Sequence, residues 1–567
     1  MFFIRNHIQA TFKLLDVNHI LGFYKILVIN FFLSILELVS IFSLIPILSI
    51  MMSDKFYTNL INYFNVINYS KRDIILLLLG AVLFLFVFKL CFTLYAKYQN
   101  SQYVYNIRSN FSKKLFRKYL NNDYNFYLNN NSSTLLRNID SIVNNFSAYV
   151  NVLQNFFLEL TFLILVLFSG IYFTTKATIL VFFISIFFFI IYLKIYKNKL
   201  LALTNKKLIF EASSIKKILE AFSSIKELII HRLQNNFLLD FQKINQVKNN
   251  LGYKIDFLSS LPKILFEFFT LVIIIFFISI LLFFKIPENE IIFQMSIFGL
   301  FAFKVIPSIS RIVSYNQSLL SFLPSLHILT KEIVINKNIN SQLKKEILIK
   351  KKVEIRDFTL SFNNKKLINN SYILFEKNKI NSITGGSGSG KTSIANFLSG
   401  LIKNNKAKVY LDNNLVDYKN FFYKISIIGK DNFILDGTIK ENVIFKEKYN
   451  KNLFKKACSG ADIYTFINSL KNKENFKTSE KGFKLSDGQK QRIFIARALY
   501  KNPSILIFDE ATNSLDKKSE ENIIKTIVKL KRYCIIIFIS HDIKLVKKIS
   551  DVIYFVDQNK RKIKIIN

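Results

Sequence analysis

The sequence predicts a multi-domain protein: an α-helical transmembrane domain with six spans, followed by an α/β domain of alternating strands and helices. Three observations carry that prediction. The chain has 567 residues, more than the ~100–200 of one ordinary domain, so at least two folding units are expected. Its first half contains several apolar runs of about 18 or more residues, long enough to cross a ~30 Å hydrocarbon slab at ~1.5 Å per residue. In its second half, short β-branched runs alternate with helical patterns, which implies a doubly wound unit with a mostly parallel sheet.

Composition removes several other classes. Hydrophobic residues make up 51%, with only 15 Gly and 6 Pro, and mean hydropathy is +0.28, which excludes collagen-like, Pro/Gly-rich and largely disordered chains. The formal charge of +40, from 78 Lys+Arg against 38 Asp+Glu, would suit nucleic acid or an anionic membrane surface. Lys, Asn, Ile and Phe are abundant throughout, so the charge reads as a compositional bias and no nucleic-acid partner is expected. Cys91, Cys458 and Cys534 form no CxxC and have no His at ligand spacing, so neither a disulfide framework nor a zinc site is indicated.

Taken in chain order, Met1–Asn18 mixes Phe, Ile and Leu with Arg5, His7 and Lys13 and lacks a cleavage-site pattern, so it reads as an interfacial amphipathic helix. The six spans are Phe23–Ile50, Ile74–Tyr95, Val152–Phe173, Ala177–Tyr196, Ile264–Phe284 and Ile291–Val313. Thr174, Thr175 and Lys176 alone join the third and fourth, giving a tight hairpin. The stretches after spans two and four are rich in Lys and Arg, from Lys97 to Arg137 and from Lys197 to Lys263, whereas the other connections carry few cations. Both basic stretches, the N-terminus and the C-terminal half therefore lie in the cytoplasm. Apolar spacing at Leu208, Ile215, Ile218, Leu219 and Phe222 predicts that the spans continue as helices well below the membrane. On the outer side, Asp54–Ser70 reads either as a short helix on the leaflet or as an ordinary turn. Residues 1–335 are thus the membrane domain, 336–350 a Lys-rich linker and 351–567 the α/β domain. Within the latter, strands are expected at Lys351–Ser361, Lys379–Thr384, Lys424–Ile428, Ser504–Phe508 and Cys534–Ile539.

Glycine placement locates the first chemical site. Gly385, Gly386, Ser387, Gly388, Ser389, Gly390, Lys391 and Thr392 match GxxxxGK[ST] between a predicted strand and a helix opening at Ser393. Glycines let backbone N–H groups form an anion nest, and the helix N-terminus adds positive potential. Lys391 then reaches the β- and γ-phosphates, and Thr392 can ligate Mg²⁺. The apolar run Ile505–Phe508 ends in Asp509 and Glu510: Asp509 is placed to hold the Mg²⁺ shell and Glu510 to accept a proton from an attacking water. These residues point to an α/β P-loop NTPase domain that binds a nucleotide with Mg²⁺, and by themselves they leave the nucleotide and the reaction open.

Leu485, Ser486, Asp487, Gly488 and Gln489, just before that acidic strand, resemble the LSGGQ signature of ABC-transporter ATPases. The resemblance implies that Phe362 stacks on adenine, that Asn513–Asp516 forms a D-loop and that His541 contacts the γ-phosphate. It also implies that each ATP lies between one chain's P-loop and the other's Ser486–Gln489, so the partner is a second copy of the chain in a homodimer. Six spans, long cytoplasmic helices and one ATPase domain match the layout of exporter half-transporters. Two positions depart from the family pattern. Lys430 stands where the Q-loop glutamine contacts Mg²⁺, and a protonated lysine cannot ligate a metal; Asp487 replaces the signature's first glycine. Glu510, His541, Lys391 and Ser486 all match, so a working ATPase in the bacterial inner (cytoplasmic) membrane is expected.

In the membrane half, Glu37 and Pro46, Tyr124–Tyr127, Ser224–Leu228 and Lys304–Arg311 around Pro307 look more like bacterial flippases of polyprenyl-linked glycans than like peptide exporters. The resemblance implies an ATP-driven flippase moving a lipid-linked oligosaccharide or other amphipathic lipid from the inner to the outer leaflet. Peptide or drug export and a hydrolysis-impaired, nucleotide-gated membrane protein are the alternatives. Charges inside spans are costly and mark function or pairing. Lys89, Lys304 and Arg311 fall at inner-leaflet depth, where they either bind a lipid diphosphate, or snorkel to the interface or pair with Glu37, Glu159 and Glu267.

Overall fold

A computed structural model describes residues 9–52, 70–173, 176–283, 288–334, 349–362, 365–402, 407–416, 424–429, 432–479, 482, 484–511 and 517–566. The expected outer helix at 54–70 falls almost wholly outside these residues, as do most of the linker, Lys430 and the expected D-loop. The chain divides into two compact units, a helical one and an α/β one.

The helices of the N-terminal part are α1 (Val17–Phe42), α2 (Ile45–Met52), α3 (Lys71–Leu120), α4 (Tyr124–Asn129), α5 (Ser132–Arg137), α6 (Val143–Phe173), α7 (Lys176–Ser223), α8 (Ile225–Ile230), α9 (Gln234–Phe283) and α10 (Glu288–Val334). Each predicted span except the first lies in one of these helices, apart from Phe284, which is outside the described residues. Three stretches among the described residues are long and apolar enough to cross a membrane, Val17–Met51, Lys71–Leu120 and Ser132–Ser169; the side chains of span four and of much of spans five and six lie outside the description. The extensions beyond the predicted spans are helical as expected: α3, with 50 residues, is about 75 Å long at ~1.5 Å per residue. Ser70 and Asp73 begin it with a reciprocal capping box, Ser70 Oγ accepting the Asp73 amide at 3.2 Å and Asp73 Oδ2 accepting the Ser70 amide at 3.1 Å. Its apolar stretch is exposed along Leu76, Leu83, Phe84, Val87 and Leu94, a surface suited to lipid. Its lower half is not: Ile107, Phe111 and Leu115, spaced by four, are fully buried, with the Phe111 and Phe146 rings 4.8 Å apart.

Two expectations are corrected here. Span one is not one helix: it breaks between α1 and α2 at Ser43–Leu44. Pro46 has no N–H to give the carbonyl of Phe42, and its ring would clash there, so it is tolerated only in the first turn of a new helix. The N-terminal helix does not run to Asn18 either. Residues 9–14 are helical, and the chain breaks at 15–16 before α1.

The α/β unit contains two sheets. β1 (Lys352–Phe362), β2 (Lys365–Glu376), β4 (Lys408–Leu411) and β5 (Asn414–Val416) form an antiparallel sheet in the order β2-β1-β4-β5. β3 (Ile380–Gly385), β6 (Ile425–Ile428), β7 (Ile505–Asp509), β8 (Ile535–Ile539), β9 (Val552–Asp557) and β10 (Lys562–Ile566) form the second, in the order β10-β9-β3-β8-β7-β6. All its neighbours are parallel except the edge pair β9 and β10. The helices are α11 (Lys391–Leu398), α12 (Ile439–Ile444), α13 (Lys451–Gly460), α14 (Tyr464–Ser469), α15 (Asp487–Tyr500), α16 (Lys517–Leu530) and α17 (Ile543–Ile549). Every predicted strand is present within a residue or so, but the first belongs to the antiparallel sheet and not to the parallel one. β7 and β8 are buried throughout their apolar residues, the continuous pattern of strands covered on both faces.

Candidate functional site

The parallel sheet brings the motifs together. β3, β8 and β7 are consecutive neighbours, so the loop after β3, His541 after β8 and Asp509 with Glu510 at the end of β7 share one carboxyl edge. In open α/β sheets this is where ligands bind.

Gly385 must be glycine: its φ is +153° and a Cβ there would stand 2.8 Å from the Val556 carbonyl oxygen. Gly388 and Gly390 also have positive φ, which lets the chain curl round before α11. That helix starts at Lys391, two residues earlier than expected, so Lys391 and Thr392 form its first turn. Lys391 is buried, and its ammonium donates to the carbonyls of Gly385 and Gly386 at 2.9 and 2.8 Å. Burial pushes its pKa down, with Glu510 and Asp509 opposing the shift. Ser389 Oγ is buried and has no hydrogen-bond partner among the described residues. A curled glycine loop, a buried cation and an unpaired hydroxyl donor fit a phosphate chain. Thr392 lies in the first turn of α11, and Asp509 ends β7.

Glu510 adopts φ +53°, unusual for a side chain with a Cβ, while its amide donates to the Ile539 carbonyl at 2.9 Å. Such strain costs on the order of 1 kcal/mol and is concentrated at functional positions. His541 Nδ1 lies 3.2 Å from Glu510 Oε1, so the predicted base and histidine are direct neighbours.

The signature opens α15. Ser486 is its N-cap, with its hydroxyl accepting the Gln489 amide at 3.3 Å and Gln489 Oε1 accepting the Ser486 amide at 2.9 Å. Leu485 is buried beneath it. Asp487, the departure from the pattern, has a side chain 86% exposed and paired with Lys490 at 3.2 Å, which partly neutralises it. Phe362 ends β1, but its side chain, like Lys430 as a whole, lies outside the described residues.

Two contributors are not legible in the motifs. Arg497 on α15 donates to the carbonyls of Asn442 and Phe433 and to Asn442 Oδ1, at 2.8, 2.9 and 3.0 Å, tying the signature helix to α12. Burial pushes its pKa down to about 10. Gln558, from the turn after β9, donates to the Ser387 carbonyl inside the glycine loop at 2.8 Å. The strand that delivers Gln558 was not among those predicted.

The membrane cations divide into two groups. Lys89 and Lys304 approach the same carboxylate oxygen of Glu37 at 3.6 and 4.0 Å, and Lys89 also donates to Ser40 Oγ at 3.2 Å. Arg311 instead grips Glu159 with two bonds of 2.5 and 3.2 Å, and Ser308 adds a third at 2.5 Å. The Glu267 side chain lies outside the description.

Residues 368–513 match the family model described as ABC transporter. An "ATP-dependent lipid A-core flippase" of Wigglesworthia glossinidia brevipalpis is 38% identical over 184 residues, 32% of each chain. The "sublancin-168-processing and transport ATP-binding protein" of the Bacillus subtilis SPbeta prophage is 36% identical over 173 residues, 30% of this chain and 24% of that one. The chain thus spans about a third or less of these relatives. A solved bacterial Atm1-family ABC exporter with ATP bound superimposes at a TM-score of 0.76 over 96% of this chain and 94% of its own, with 15% identity. Residues 368–513 thus resemble the ABC-transporter family, and the chain as a whole has the fold of an ABC exporter.

Proposed function

We propose that this exporter fold works as a pair of identical chains that hydrolyse ATP to carry an amphipathic, phosphate-bearing lipid, best a lipid-linked oligosaccharide, from the inner to the outer leaflet of a bacterial cytoplasmic membrane. The observation that carries ATP hydrolysis is the convergence of Lys391, Asp509, Glu510 and His541 on one sheet edge. The chain's residues divide the work. The loop amides and Lys391 bind the phosphates, Thr392 and Asp509 hold Mg²⁺, and Phe362 stacks the base. Glu510 takes the proton of the attacking water, with His541 beside it to contact the γ-phosphate. Mg²⁺ supplies neutralisation of charge on the phosphate oxygens. In this reading residues 1–335 are the membrane domain, 336–350 the linker and 351–567 the nucleotide-binding domain.

A second copy is supported by surfaces left uncovered in one chain. Phe222, Ile225, Ile229 and Ile230, on and beside the short helix α8, are 70, 42, 58 and 63% exposed, an apolar patch beyond what an isolated cytoplasmic helix needs. Ser486, capping α15, would face the other chain's ATP.

The cargo class rests on the Glu37 cluster, where two ammonium groups face one carboxylate. Among the described residues that arrangement leaves one positive charge unmatched at inner-leaflet depth, and a lipid phosphate would offset it. Peptide export is the rival, favoured by the likeness to the sublancin transporter. Reconstituted vesicles decide between them. A polyprenyl-diphosphate glycan should stimulate ATP turnover and be flipped, and both effects should vanish in Lys89→Gln with Lys304→Gln while basal turnover persists. Stimulation by peptides alone, or flipping intact in the double variant, would overturn the cargo assignment.

A further inference from the structure

The turn between β9 and β10 lies against the glycine loop, although no motif residue comes from it. Parallel pairing sets Gly385 opposite Val556, so the chain leaving β9 runs beside the loop leaving β3. Two residues on, Gln558 Nε2 donates to the Ser387 carbonyl at 2.8 Å. Its amide oxygen lies 3.5 Å from where a Cβ on Gly386 would stand, so the side chain covers the loop's back. The turn is itself fastened. Asp557 Oδ1 accepts the amides of Asn559 and Lys560, both at 3.1 Å, and Oδ2 pairs with Lys564 at 3.1 Å.

A trans peptide is planar, with its C=O and N–H pointing in opposite directions. Holding the Ser387 oxygen toward Gln558 therefore turns the Gly388 N–H to the opposite face of the loop, the face on which an anion nest is built. Gly388, at φ +74°, has no side chain to fix that orientation. We propose that Gln558 is a positioning residue for nucleotide binding, one that orients the Ser387–Gly388 peptide so that its N–H meets the phosphates. The inference rests on the reading of this loop as the ATP site.

The test uses the full-length protein in lipid nanodiscs, with Glu510→Gln as background so that bound ATP persists. Affinity for Mg-ATP is compared for Gln558, Gln558→Ala and Gln558→Glu, with Lys391→Ala as control. Losing one neutral hydrogen bond should weaken binding about threefold to tenfold in Gln558→Ala. Gln558→Glu should lose at least as much, since it removes the donor and adds a negative charge near the phosphates. Melting temperatures measured without nucleotide should stay at the level of the background. Affinities within about twofold of the background in both variants, or weakening matched by a fall in that melting temperature, would refute the positioning role. Normal binding by Lys391→Ala would instead refute the ATP-site reading itself, so the two failures are distinguishable.

Discussion

Lys391 and Arg311 are both charged side chains drawn into a fold, and the company they keep differs. Arg311 has a carboxylate to itself, with two guanidinium bonds to Glu159 and Ser308 on the same acceptor. Among the described residues, Lys391 has only the carbonyls of Gly385 and Gly386 within bonding distance, while Asp509 and Glu510 act on it from farther away. A cation matched one to one is a brace between α6 and α10. A cation held by neutral oxygens keeps most of its charge for an incoming anion. The Glu37 cluster stands between these cases, because Lys89 and Lys304 share one carboxylate.

The largest effect expected from this contrast is at Lys391. Lys391→Ala should abolish ATP binding and lower turnover by ~10²-fold or more, because it removes charge stabilisation worth several kcal/mol, while leaving the melting temperature nearly unchanged. Phosphate release and calorimetry on the same sample check both halves. Arg311→Gln should do the reverse. It strands the Glu159 carboxylate, only 7% exposed, and should destabilise the protein by on the order of 3 kcal/mol. Adding Glu159→Gln should recover part of that loss, and an additive double variant would show that the pair is no brace. Removing one lysine from the Glu37 cluster leaves a neutral pair, so Lys89→Gln or Lys304→Gln should change stability by less than about 1 kcal/mol. A large fall in melting temperature there would move this cluster into the same class as Arg311.

Protonation gives a smaller, graded test. Burial lowers the Lys391 pKa from the ordinary lysine value, so the binding-competent ammonium is lost at lower pH than for an exposed lysine. ATP affinity should therefore be constant near neutrality and fall as pH rises toward the ordinary lysine range of about 10.4. Lys391→Arg should remove that alkaline fall, because a guanidinium stays charged there. Smallest is the effect proposed for Lys430. If its charge repels Mg²⁺, Lys430→Gln should lower the Mg²⁺ needed for half-maximal turnover. An unchanged titration would place the lysine away from the metal.

The two units were legible in the sequence to different depths. Phosphate chemistry demands glycine, lysine and a hydroxyl at adjacent positions and a carboxylate at a strand end, so the site was written in short runs from Gly385 to Thr392 and at Asp509–Glu510. Buried strands such as Ile505–Asp509 could be read from continuous apolar runs, whereas β9, only partly buried, and β10, largely exposed and interrupted by lysines, were not. Gln558 went unseen with them, since it reaches the loop across 171 residues of sequence. In the helical unit, periodicity showed where helices run but not which carboxylate meets which cation. Lys304 and Arg311 lie on one helix, yet they pair with different helices, Lys304 with α1 and Arg311 with α6. Pro46 was visible as a residue, but the break it makes needs the knowledge that the preceding turn ends at Ser43.

The central claim is that the sheet edge carrying Lys391, Asp509, Glu510 and His541 hydrolyses ATP. Phosphate release by the purified protein in lipid, measured beside Glu510→Gln, tests it most directly. The account predicts steady Mg²⁺-dependent turnover that falls by ~10²-fold or more in the variant, the scale of losing a general base, while the variant still binds ATP. Equal turnover in the two proteins, or ATP binding without turnover in the wild type, would contradict it.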